Sequence, residues 1–190
     1  MPVNRAALVP ILRAISVPAT TLDFENGTVA NTIKTMQDIL NGIKAISDEN
    51  GNAISAPQVG VSIRLIVLRI AGKFVNIINP ILSEQSANTF MFEEECFSFY
   101  SVRASVKRHQ CVTLNYKDET QRLQSRIMQG EFSGLIQHEV DHLNGIFFLD
   151  KVEDKASVES IDYVFKDEPR RLDVVKKMCG YMSSPSGTVS

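Results

Sequence analysis

From Thr28 to Asp48 the apolar residues Val29, Ile33, Met36, Leu40 and Ile43 recur at steps of four and three. That period lays one apolar stripe along a helix and predicts an amphipathic one. Asp48-Glu49-Asn50-Gly51-Asn52, a run of turn formers, ends it. After Ala53 to Gly60, the stretch Ile63 to Ile70 is rich in β-branched residues and predicts a buried strand. Gly72 turns the chain into a second strand, Phe74 to Ile78, which Asn79-Pro80 should stop because proline cannot donate to a ladder. Two short segments, about 81–84 and 88–93, lead to Cys96. Val102 to Val106 and Cys111 to Tyr116 read as further strands. Lys117-Asp118-Glu119-Thr120 joins the latter to Arg122 to Ile127 as a hairpin.

The helical period then returns. Phe132, Leu135, Ile136, Val140 and Leu143 form an apolar face, and Gly145 is a natural stop. Residues 1–27, with Pro2, Pro10, Pro18 and a Glu25-Asn26-Gly27 turn signal, predict irregular chain. Beyond Asp150 the chain is charged, with short helices expected near Val158 to Phe165 and Arg170 to Met178. The expected fold class is α+β: antiparallel strands packed around the helix that follows Gly130, with a long helix near the N-terminus. One domain is expected over 1–182, followed by a Ser/Gly/Pro-rich tail, 183–190, expected to be disordered.

Composition changes this picture only at its edges. A chain of 190 residues, 44% hydrophobic, is long enough to bury a core of its own. A net charge of -2 offers no basic face, so no nucleic-acid partner is expected. No apolar run approaches the ~20 residues of a membrane span. Cys96, Cys111 and Cys179 are odd in number and far apart, which argues against a disulfide framework and for a reducing compartment. The expectation is a cytoplasmic monomer, or an organellar one if a transit peptide has been trimmed.

The chemistry sits in His138-Glu139-Val140-Asp141-His142. On a helix, His138 and His142 lie one turn apart on one face and can share one metal ion. Glu139 is then placed to handle a proton from a metal-bound water. A catalytic site needs a third ligand and an open position. No histidine follows, and Glu153, Glu159 and Asp162 read as a solvated face. Upstream, Glu94-Glu95-Cys96-Phe97-Ser98 offers a thiol; with two imidazoles it would suit Fe(II), Zn(II), Ni(II) or Co(II). Cys111 and Cys179 read as small buried apolar residues.

Three segments in order, Gly51-Asn52-Ala53-Ile54-Ser55-Ala56-Pro57-Gln58, Glu94-Glu95-Cys96-Phe97-Ser98 and His138-Glu139-Val140-Asp141-His142, resemble the three motifs of the peptide deformylase family. The resemblance runs from about residue 10 to residue 150. It implies Cys96, His138 and His142 as ligands of one divalent metal, Fe(II) above the others, and Glu139 as general acid/base. It implies that Gln58 and the backbone N–H of Phe97 hold the substrate carbonyl oxygen. The implied substrate is an N-formylmethionyl peptide, met near the ribosome in a transient association, and attack by metal-bound water would release formate. Arg103 would stand near the mouth of the cleft, and Asp141 with Arg108 would form a structural pair. Phe92 and Leu135 would wall the methionine slot or simply pack the core, with Asn52 and Gly134 at its border. The peptide would pair as an added strand near Ala53 and Glu95.

Three positions depart from the family pattern: Ala53 and Glu95 replace glycines, and Ser55 replaces an alanine. Ala53 is tolerable where its φ is negative, Ser55 needs a partner if buried, and Glu95 brings a carboxylate to the cleft. Two other readings stay open on the residues alone. One is a metallopeptidase cutting internal peptide bonds; the other is a metal- or peptide-binding protein without catalysis.

Overall fold

The computed structural model describes residues 15–99 and 101–183. The expectations for residues 1–14 and for the tail from 184 onward lie outside the described residues. Part of the stretch expected to be irregular is a short helix, α1 (Thr21–Glu25), started by a Thr20–Asp23 capping box. The long helix is α2 (Thr28–Ile46), and Val29, Ile33, Met36, Leu40 and Ile43 are all buried. The chain returns at Gly51, whose φ of +78° and close approach to the Leu40 carbonyl leave no room for a side chain.

Five strands make the larger sheet, in the order β1-β2-β3-β6-β7: β1 (Ala53–Ser55), β2 (Leu65–Ile70), β3 (Lys73–Ser83), β6 (Cys111–Lys117) and β7 (Leu123–Gln129). β4 (Thr89–Glu95), β5 (Val102–His109) and β8 (Glu159–Ser160) form the smaller sheet in the order β4-β5-β8. All strand pairs are antiparallel, and β6 and β7 form the expected hairpin. β3 does not stop at Asn79-Pro80. A register shift between Ile78 and Ile81 takes Pro80 out of the ladder, and Asn79 adopts φ +53° there. The Asn79 side chain is held by the N–H and carbonyl of Ala19. The bulge lets β3 leave β2 and continue along β6.

α3 (Glu131–Leu143) packs on the larger sheet, with every residue from Ile136 to Leu143 buried. Phe132 is the exception to its expected apolar face: it is 42% exposed. α4 (Ile161–Val164) and α5 (Pro169–Ser183) follow β8, in the places expected for the late helices. The two faces of the larger sheet carry separate cores. Ile54 faces α2 and α5, whereas its neighbour Ala53 faces α3. Among the described residues no helix is long and apolar enough to cross a membrane.

Candidate metal centre

Strand alternation on β4 sets the first half of the site. Glu94 is buried while Glu93 and Glu95 stay exposed, so the chain reaches Cys96 with one carboxylate already inside. Helical spacing on α3 sets the second half, bringing His138 and His142 together edge to face with ring centroids 4.5 Å apart. Ligand atoms of Cys96, His138 and His142 all lie within 4.8 Å of one another, and all three residues are buried. Cys96 Sγ is 3.3 Å from His142 Nε2.

A charged network behind the triad fixes its orientation. His138 Nδ1 lies 2.6 Å from Glu94 Oε2. Arg108 grips both oxygens of Glu94, at 2.6 and 3.0 Å, and donates to Asp141 at 2.6 Å. Burial opposes charge on Glu94, but the bonds from His138 and Arg108 outweigh it and hold the carboxyl below its usual range. Burial likewise opposes charge on both histidines. For His138 the bonds to Cys96 and Glu94 prevail and its pKa rises well above the ordinary value. His142, beside the positive His138 and Arg108, falls well below.

These residues fit a divalent cation. One thiol and two imidazoles converge, Glu94 fixes His138 from behind, and the buried Glu139 Oε2 and His142 Nδ1 have no hydrogen-bond partner among the described residues. Burial lifts the Glu139 carboxyl to about 7, although the charge on His138 and the Ser55 hydroxyl draw it down. A carboxyl poised near neutrality can take and return a proton.

The cleft above this centre encloses about 150 Å³. Its lining includes Asn52, Ala53, Gln58, Phe92, Glu95, Phe97 and Leu135, together with His138 and Glu139. Gln58 Nε2 donates to Ser98 Oγ at 3.3 Å and lies 4.0 Å from Cys96 Sγ. Its Oε1 accepts from both the N–H and the hydroxyl of Ser55, at 2.9 and 3.0 Å, so the buried Ser55 has its partner. Ala53 is in strand β1 and is not among the residues with positive φ, which removes the strain its replacement of glycine could bring. The Phe92 ring lies over Gly134, filling the space a Cβ would need.

Gly134 lies against the Phe92 ring and is not part of the lining, and Arg103 also does not line the cleft. β8 places Glu159 opposite it, and the guanidinium binds Glu159 Oε2 at 2.8 and 2.9 Å. Glu159 is therefore not merely solvated, although it stays exposed. Sequence reasoning missed Glu94 as the link between His138 and Arg108; its signal was an acid two residues before the candidate ligand on an alternating strand. It also missed Ser55 as a partner of Gln58, and it gave the segment after 150 no part in the site. Ile161, Val175, Met178 and Cys179 from that segment line the cleft. No local signal could have found them, since Ile161 arrives with α4 and the other three through the docking of α5.

A family described as polypeptide deformylase matches residues 7–158. A peptide deformylase of Prochlorococcus marinus (strain NATL2A) is 32% identical over 160 residues, covering 79% of this chain and 78% of the relative. The solved Plasmodium falciparum peptide deformylase, in complex with an inhibitor, has TM-score 0.66 and 30% identity, covering 88% of this chain and 95% of that one. Arabidopsis thaliana peptide deformylase 1B, also with an inhibitor, has TM-score 0.68 and 30% identity, covering 87% and 89%. With the family match spanning both halves of the centre, the chain belongs to the peptide deformylase family.

Proposed function

We propose that this protein removes the N-formyl group from the initiator methionine of nascent polypeptides and releases formate. The observation that carries the reading is the convergence of three ligand atoms within 4.8 Å beside a buried carboxyl with an unpartnered oxygen. Cys96, His138 and His142 would hold one divalent ion; a thiolate with two imidazoles suits Fe(II), with Zn(II), Ni(II) and Co(II) as substitutes. Bound there, the ion would supply Lewis acidity and lower the pKa of a water.

The chain's own groups do the rest. Glu139 accepts the proton of the attacking water on its carboxylate and returns it to the leaving amine. The Gln58 amide and the Phe97 N–H stabilise the carbonyl oxygen as negative charge develops on it; each such donor contributes about 3 kcal/mol. Gln58 reaches this role with its Oε1 already satisfied by Ser55, so Nε2 is the end left to donate. Phe92 and Leu135 offer the apolar wall for the methionine side chain. β1 and β4 are both sheet edges, and both border the cleft, so a peptide can add between them by main-chain pairing near Ala53 and Glu95. Main-chain pairing tolerates varied sequences after methionine, as processing of nascent chains requires.

The test is formate release from a formyl-Met tripeptide, anaerobically with Fe(II) or with Ni(II). Wild type should turn over, Glu139→Gln should keep its metal and lose about 10²–10⁴-fold in rate, and Cys96→Ser should lose metal. Peptide cleavage without formate would point to a peptidase. Binding without turnover in metal-loaded wild type would point to a non-catalytic protein.

A further inference from the structure

The segment beyond residue 158 lies outside the family match, yet α5 lines the catalytic cleft with Val175, Met178 and Cys179. Their spacing of three and four puts them on one helical face. That face is anchored. Met178 and Tyr181 are buried in the core shared with α2, where Tyr181 occupies the space a side chain at Gly42 would fill. Tyr181 Oη also donates to the Asp38 carbonyl at 3.4 Å. A helix seated this way is a fixed wall.

The sheet decides what meets that wall. At β1, Ala53 faces the α3 side with Leu135, whereas Ile54 faces the α5 side with Val175, Met178 and Cys179. A peptide added at the β1 edge shares this alternation, because successive strand residues point to opposite faces. Its formyl-methionine, reacting beside Glu139, takes the α3 side with Phe92 and Leu135. The next side chain takes the α5 side.

We infer that α5 is a specificity element: Val175, Met178 and Cys179 form an apolar wall for the second residue of the formyl-Met peptide and favour substrates in which that residue is apolar. The inference rests on the deformylase reading. It assigns the residues of α5 to positioning substrate and gives them no part in the chemistry.

The pair formyl-Met-Leu-Ser and formyl-Met-Asn-Ser differs in polarity at nearly constant shape. Metal-loaded wild type should prefer Leu over Asn by about tenfold in kcat/KM, mainly through KM. Val175→Thr, isosteric and expected to fold, and Val175→Asn should reduce that preference to less than about threefold. Lys176→Ala, on the exposed side of α5, should leave it unchanged. Calorimetry with unformylated Met-Leu-Ser and Met-Asn-Ser should show the same preference and the same collapse in affinity. Equal treatment of the two peptides by wild type, or a preference that Val175→Thr and Val175→Asn leave intact, overturns the wall. An equal change for both peptides in these variants, as expected of a lid, also overturns it. Absence of formate from both peptides overturns the deformylase reading instead, and the calorimetric preference then still decides for or against the wall.

Discussion

Glu94 Oε2 lies 2.6 Å from His138 Nδ1, and the same carboxylate is gripped at both oxygens by Arg108. One buried acid thus fixes which ring nitrogen of His138 faces the centre and is itself held by a buried guanidinium. Such partners behind a ligand are worth about 10–100-fold in metal affinity. Glu94→Gln should therefore weaken Ni(II) or Zn(II) binding by that factor in a chelator competition. Unaltered affinity would show that His138 is oriented by packing alone.

Arg108 is 2% exposed and bonded to both Glu94 and Asp141. Removing one member of a buried ionic group leaves the rest uncompensated and costs about 3–5 kcal/mol. Arg108→Met should lower unfolding free energy by that amount in a urea titration, with Asp141→Asn costing less because Arg108 then keeps both of its bonds to Glu94. A loss below about 1 kcal/mol for Arg108→Met would mean the network does not stabilise the fold.

Ser55→Ala deletes one of the two donors to Gln58 Oε1 and keeps the backbone one. A net neutral hydrogen bond is worth about 1 kcal/mol, so kcat should fall about fivefold with KM nearly unmoved. Ser55→Thr, which restores a hydroxyl, should recover part of the loss. An equal loss in both variants would assign the effect to packing.

A Cβ at Gly134 would come 2.6 Å from Phe92 Cδ1. Gly134→Ala should push the ring toward the methionine slot and raise KM for formyl-Met peptides by about tenfold. Phe92→Leu in the same chain should restore it. Failure of that second substitution to rescue KM would place the methionine elsewhere.

In the β6–β7 turn, the Thr120 hydroxyl, the Arg122 N–H and the Gln124 amide hold Asp118 at about 2, below the ordinary 3.8. A depressed carboxylate stabilises the fold above its unfolded pKa, and the contribution is lost as pH falls through the folded one. The melting temperature of wild type should exceed that of Asp118→Asn by a constant margin above about pH 5. The margin should shrink toward zero as pH falls to about 2. A margin independent of pH would assign the turn's stability to shape.

Legibility in the sequence followed the range of the interaction. The period of Val29, Ile33, Met36, Leu40 and Ile43 is local, and so are the His138–His142 spacing and the Cys111 to Ile127 hairpin; these were readable. β1 is three residues long and exists because β2 pairs with it, which no window of sequence reveals. Pro80 reads locally as a stop, and only the partner strand β6 carries β3 past it. Arg103 could be matched to a cleft, but its cross-strand neighbour Glu159, 56 residues away, takes its guanidinium. Val175 and Cys179 could be read only as apolar helix positions until α5 was seen against α2.

The two borders of the cleft, β1 and β4, are edge strands, each paired on one side only, and the free backbone groups of the other side would also recruit a neighbouring chain. The same groups that would admit a peptide in the proposed reaction are thus a standing invitation to self-association. β1 answers with brevity, β4 with exposed acids at Glu93 and Glu95, and α5 by standing beside the gap. Glu95, where the family pattern has glycine, places a carboxylate on an edge that the proposed reaction needs left open, and its charge disfavours pairing there with a second copy of the chain.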